Sequence, residues 1–367
     1  MKRLKLTYFM LLFVLFHLSG QNRNNRRSYR PYSNWNEARM AISSSANKGH
    51  FSGVIHVSNL QDNNPYIEES FGFADKELKV ENRIDTKFNV GSINKIFTAI
   101  GILQLIQSGE LTLSDNLTTY VPELTRSGVN EITIKQLLQM RSGYGSYFSS
   151  DKYSNNLNNL RDMEHYLPII KDFDLDFEPG TSRAYSNIGY ELLGIIIQRI
   201  TKTNYYDFIQ NNIYNKAGMY NSGSFERDKN TKNLAKGYTQ YNLGQSLGTD
   251  LDLEQKKNYS FDNNNRHAVK GTAAGGGYST VEDIKKLILA LKTHNLIDEQ
   301  HTKLLINRYE DTDKDRTAFG FAGGGIGINS HFWWNIKTDD IIVVMSNYDP
   351  PSASEVFGRL RKTLEKL

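Results

Sequence analysis

Two side chains three residues apart, Ser92 and Lys95, have the types and spacing for nucleophilic chemistry. A serine hydroxyl is a poor nucleophile until a neighbour takes its proton, and a lysine kept from water can shed its charge and act as that base. Residues i and i+3 share one face of a helix, so the pair can meet. Ser-x-x-Lys is also an ordinary helix cap followed by a solvated lysine, and the chain repeats it at Ser45–Lys48 and Ser149–Lys152. Context separates the copies. Phe88-Asn89-Val90 reads as a short strand and Gly91 as a junction. Ile96, Phe97, Ile100, Leu103 and Ile106 then recur at helical spacing through Gln107, with Gly109 closing the helix. Ser92 is thereby expected in the first helical turn, where unpaired N–H groups and the positive end of the dipole favour a developing anion.

Such a serine needs a proton shuttle, and Tyr185 is the candidate, because a phenol near an ammonium can exchange protons with it. Asn187 would hold Lys95 or a substrate through its amide. Tyr-Ser-Asn also occurs at 32–34 and 153–155, but only the copy at 185 follows a Pro-Gly turn and precedes a strong helix. A buried tyrosine with a satisfied hydroxyl is the competing reading of Tyr185.

The elements that must position these groups follow from patterning. A short helix is expected from Trp35 to Ala46. Phe51 to Val57 and Tyr66 to Phe73 read as a hairpin turning at 62–65. Thr133 opens a helix through Met140 with a capping box to Gln136. Residues 145–160 read as a polar surface excursion, Ile188 to Ile200 and Tyr205 to Ile213 as helices, and 220–270 has no clear period. Gly275 to Thr280 leads into a helix capped by Ser279 or Thr280; no Gly-Lys-Ser/Thr follows, so it is no phosphate cradle. Phe319 to Ile328 reads as one glycine-rich extended run, Phe332 to Ile336 and Ile341 to Ser346 as a hairpin, and Ser352 to Leu367 as a helix. Strands at both ends with helices between predict an α/β fold of the α+β type: one antiparallel sheet from the N- and C-terminal strands, flanked by helices, with a helical insert over about 112–280.

Composition bounds the function. Of 367 residues 38% are hydrophobic and 23% charged, as in a globular chain. The net charge of +4 comes from residues 1–34, which hold seven basic residues and no acid; without them 37 basic face 40 acidic residues, or −3. Nucleic-acid binding gains no support from that balance. Lys2, Arg3 and Lys5 before the apolar run Leu6–Leu18 read as a signal peptide over 1–20, too short for a comfortable membrane span, so export to the periplasm or the exterior is expected. An uncleaved anchor is the alternative. Residues 21–34 read as a flexible basic arm, and 35–367 as the working domain. No cysteine and eight scattered histidines without His-x-x-x-His argue against a metal site or disulfide; no cofactor is expected.

Phe88 to Lys95 with Gly109 to Asp115, Ile134 to Leu138 leading to Ser142-Gly143, Phe177 to Gly180 through Tyr185 to Tyr190, Ala274 to Ser279, and Ser346-Asn347-Tyr348 together resemble serine hydrolases of the class C β-lactamase and penicillin-binding-protein type. That family includes D-alanyl-D-alanine carboxypeptidases and esterases. The resemblance implies a site between sheet and helical subdomain, acylation of Ser92, Lys95 and Tyr185 handling protons, and water attacking the acyl-enzyme.

One segment departs from the pattern. The family carries Lys or His, a small residue and Gly on a late strand; here Phe321-Ala322-Gly323-Gly324 is the nearest match. An anion hole from the Ser92 and Gly324 N–H groups survives the change, but a cation for a substrate carboxylate is lost at Phe321. Arg316 and His331 are the nearby replacements to weigh. The expected activity is hydrolysis of an ester or D-amino-acid amide or peptide through an acyl-enzyme, with weak β-lactamase activity at most. The alternative is a catalytically impaired relative that binds a cell-wall peptide in the same cleft. An α/β-hydrolase elbow needs Gly-x-Ser-x-Gly, and Val90 and Asn94 stand at its glycine positions.

Overall fold

A computed structural model describes residues 29–239, 261–262, 267–310 and 316–367. The longer elements in chain order are α1 (Trp35–Asn47), β1 (Gly53–Asn59), β2 (Ile67–Phe71), α2 (Asn94–Gln107), α3 (Ile188–Thr201), α4 (Val281–Lys292), β3 (Ala318–Gly325), β4 (Ile328–Asn335), β5 (Asp340–Ser346) and α5 (Ser352–Leu364). The five strands form one antiparallel sheet in the order β2-β1-β5-β4-β3. The two ends of the chain therefore meet at its centre, where Ile55 lies opposite Val344.

Both faces of the sheet are covered, and alternation sorts the side chains. Ile55 and Val57 of β1 with Ile342 and Val344 of β5 face α1 and α5, joining Ala38, Ile42, Val356 and Leu360. Val54, Ile341, Val343 and Met345 face the other way, into a larger core with α2, α3 and α4. Trp334 is buried on that second face, and Trp333 packs on the first under Arg361. Helix α2 is the axis of the larger core: Asn94 through Leu103 are all buried. It has few exposed positions at which to carry charge, and replacing a core residue such as Ile100 by alanine would cost about 2–5 kcal/mol.

Several expectations need correction. The glycine-rich run is not one strand to Ile328; it breaks at Ile326-Gly327, and β4 begins at Ile328 instead of Phe332. The two-residue turn between strands joined in register was hidden because Gly323 to Gly325 lead straight into a turn that itself carries Gly327. Residues 145–160 are not merely a surface excursion: Tyr147, Tyr153 and Leu160 are buried, and the polar residues between them mask these anchors. The helix from Tyr205 changes to π winding over Gln210–Tyr214. The arm expected to be flexible is tied down over 29–34: the Tyr32 amide donates to Thr363 Oγ1 at 2.9 Å and Arg359 lies over its ring. The expected signal peptide and residues 21–28 of the arm lie outside the described residues, as does part of the 112–280 insert. Among the described residues no helix is long and apolar enough to cross a membrane.

Candidate active site

The two-residue strand Phe88–Asn89 pairs with Tyr278–Ser279 and brings the chain beneath the main sheet. A single 3₁₀ turn, Gly91–Ile93, then leads into α2. Ser92 stands in that turn, partly open to solvent, while Lys95 one turn on is wholly buried.

Lys95 Nζ donates to Asn187 Oδ1 at 2.8 Å, to the Ala274 carbonyl at 2.5 Å and to Ser92 Oγ at 3.4 Å. Three acceptors match the three donors of an ammonium, which is how a buried lysine charge is accommodated. The Tyr185 hydroxyl donates to Ser92 Oγ, and the Tyr185 ring lies 4.8 Å from Lys95 Nζ. Asn187, at the start of α3, turns its amide nitrogen to Ser146 Oγ at 3.0 Å. Thus Ser92, Tyr185 and Asn187, separated by up to 95 residues in sequence, meet around the Lys95 ammonium. Ser45 and Ser149 lie elsewhere, on α1 and in the partly exposed segment before Asp151.

The glycines of β3 form the adjoining wall. A β-carbon on Gly323 would stand 1.9 Å from the Val90 carbonyl oxygen and 2.9 Å from the Ser92 amide nitrogen, so the strand can approach only as glycine. A β-carbon on Gly91 would stand 3.0 Å from the Gly324 amide nitrogen. The Gly323-Gly324 backbone therefore lies directly against the turn Gly91–Ile93 that carries Ser92.

Phe321 is partly buried against the large core. The cation beside it is neither of those weighed from the sequence. His331 bonds Ser354 Oγ at 2.8 Å and stacks on Phe357, on the opposite face of the sheet. Arg308 instead lies over the Phe321 ring, 5.9 Å from its centre. Arg308 touches solvent, yet the protein packed around it, and then the like charges of Arg316 and Arg183, hold its pKa below the usual arginine value. Arg308 follows the helix Glu299–Ile306 with no spacing that ties it to β3, so no sequence pattern marked it. Ser146 and Ala274 were missed for the same reason, though both lie in glycine-bearing segments singled out from the sequence.

The chain is similar to known proteins over most of its length. The sequence matches the family model described as Beta-lactamase over residues 37–365. It is 34% identical to Protein flp of Staphylococcus aureus (strain MRSA252) over 195 residues, 52% of this chain and 38% of that protein. It is 31% identical to Penicillin-binding protein 4* of Bacillus subtilis (strain 168) over 183 residues, 49% of this chain and 39% of that protein. The chain thus matches less than two fifths of the length of these relatives. The crystal structure of a penicillin binding protein from Bacillus halodurans superposes with a TM-score of 0.75 at 26% identity, covering 88% of this chain and 98% of that one.

Proposed function

This chain belongs to the β-lactamase family of serine hydrolases, and from that premise we propose that Ser92 is its nucleophile, attacking the carbonyl of an ester or of a D-amino-acid amide or peptide. Convergence of the Tyr185 hydroxyl and the Lys95 ammonium on Ser92 Oγ is the observation that carries this reading. In the acylation step Oγ bonds to the carbonyl carbon as its proton passes to the Tyr185 oxygen, and Tyr185, beside the Lys95 ammonium, gives its own proton to the departing alcohol or amine as the bond from that group to the carbonyl carbon breaks. The Ser92 and Gly324 N–H groups receive the oxyanion, a contribution of about 3 kcal/mol per donor in favourable sites. Water then attacks the acyl-enzyme and the proton path runs in reverse. Asn187 holds Lys95 in place. Arg308 supplies a positive charge beside Phe321, so a substrate carboxylate has a counter-ion although the strand itself carries none. Lys2, Arg3 and Lys5 ahead of an apolar run support an exported enzyme.

A fluorophosphonate or penicillin probe with peptide mapping tests the proposal. Labelling at Ser92 that disappears in Ser92→Ala is expected; labelling at another residue overturns it. Phe321 favours one second reading, a relative that binds a cell-wall peptide without turnover. Peptide binding unchanged in Ser92→Ala, with no product formed, would select that one.

A further inference from the structure

A carboxyl group sits behind the site with no part in the steps above. Glu191 follows Asn187 by one turn of α3, so it lies on the same face, deeper in the protein, and is wholly buried. Its Oε1 accepts hydrogen bonds from the Tyr147 hydroxyl at 2.5 Å and from Thr272 Oγ1 at 2.7 Å, while Oε2 has no hydrogen-bond partner.

Thr272 connects this carboxyl to the nucleophile. Its Oγ1 accepts from the Ala274 and Gly275 amides at 3.1 and 3.2 Å, and its amide donates to the Gly275 carbonyl at 2.6 Å, closing a tight turn. Three polar residues on one side of α2 are bonded to that turn. Asn94 donates to the Thr272 carbonyl, Thr98 to the Ala273 carbonyl at 2.7 Å, and Lys95 to the Ala274 carbonyl at 2.5 Å. The orientation of the Ala274 carbonyl therefore depends on Thr272, whose hydroxyl has Glu191 Oε1 at 2.7 Å as its nearer acceptor and the Gly275 carbonyl at 3.3 Å as the farther one.

We infer that Glu191 is a positioning residue for Lys95: by accepting the Thr272 proton it frees the hydroxyl's lone pairs for the Ala274 and Gly275 amides, and so fixes the carbonyl that holds the ammonium in reach of Ser92. An acceptor at this position is what the geometry demands; a charge is not. Burial, offset by the Tyr147 and Thr272 bonds and then by Lys95, raises the Glu191 pKa to about 7. The groups around it agree: Tyr147, Tyr153, Tyr166, Tyr205 and Tyr206 are neutral phenols, and Lys95 is a cation that favours the ionised carboxyl only partly against burial. A carboxyl that is partly protonated near neutrality still accepts through Oε1.

The inference rests on acylation at Ser92, so the readout is the acylation rate with the same covalent probe. Glu191→Leu and Thr272→Val are each expected to slow acylation by roughly tenfold or more with little change in initial probe affinity, because a displaced lysine impairs the reaction and not the encounter. Glu191→Gln keeps an acceptor oxygen and is expected to recover most of that rate, which a merely space-filling role would not require. The double variant Glu191→Leu/Thr272→Val should be no slower than the worse single one. Wild-type rates in both single variants, or Glu191→Gln as slow as Glu191→Leu, would overturn the inference. If Glu191→Leu fails to fold, as circular dichroism would reveal, Thr272→Val decides alone. An unlabelled wild-type protein would refute the hydrolase reading itself; labelled wild type with unaffected variants refutes only the role of Glu191.

Discussion

Gly323 and Ser92 are in backbone contact: a β-carbon on Gly323 would meet the Val90 carbonyl oxygen at 1.9 Å and the Ser92 amide nitrogen at 2.9 Å. The sheet edge thus presses on the turn that carries Ser92, and the proposed anion hole depends on the absence of one methyl group. Gly323→Ala is expected to reduce acylation by about 100-fold or more, since displacing an oxyanion donor costs that much. Gly325→Ala is the control: its β-carbon would meet Ile328 at 3.5 Å, an ordinary contact, and activity should stay near wild type. Equal losses in the two variants would show that strand integrity, not approach to Ser92, is at stake.

Tyr185→Phe removes one oxygen and leaves the ring that lies 4.8 Å from Lys95 Nζ. Acylation should fall by about 10²–10⁴, the usual worth of a positioned acid–base group, with little change in stability. Rapid-mix labelling followed by intact mass checks the rate, and a variant that acylates as fast as wild type would remove the phenol from the proton path.

Arg308 lies over Phe321, where the surrounding protein first, and then the like charges of Arg316 and Arg183, lower its pKa. If it meets a substrate carboxylate, Arg308→Ala loses a charge-assisted bond of about 1.5–3 kcal/mol, roughly 10–100-fold in kcat/KM. The loss should be confined to substrates that carry the carboxylate. Parallel kinetics with a penicillin and with a neutral ester measure the difference; equal losses on both would make Arg308 a structural residue.

What the sequence made legible follows a physical division. Ser92, Lys95, Tyr185 and Asn187 each sit at the mouth of a strongly periodic helix, and helix starts are written locally in glycine, proline and apolar spacing. The sheet built from both ends was legible because β1, β4 and β5 carry apolar runs between turn residues. The β3–β4 turn was not, because the glycines that end β3 run on into a turn that also holds glycine, leaving little contrast. Arg308, Thr272 and Glu191 gain their meaning from partners more than ten, and for Thr272 and Glu191 more than eighty, residues away, through contacts that no spacing rule encodes. Polar stretches were over-read as exposed: Tyr147 and Tyr153 are interior residues in a Ser- and Asn-rich segment.

Glu191 also makes a prediction about stability that needs no substrate. Its pKa rises from 4.5 in the open chain to about 7 in the fold, so the folded state favours the protonated form. At about 1.4 kcal/mol per tenfold in proton affinity, this amounts to about 3 kcal/mol. For an acid whose folded pKa is raised, that contribution is full below pH 4.5 and is lost as pH climbs to about 7, where the buried carboxylate is charged. Glu191→Gln cannot ionise, and the cost of its unpaired amide is the same at every pH. Denaturant unfolding of both proteins from pH 4.5 to 8 should therefore show the variant gaining on wild type by about 3 kcal/mol, with most of the change complete by pH 7. A stability difference that stays flat across this range would mean that Glu191 titrates in the fold as it does in water.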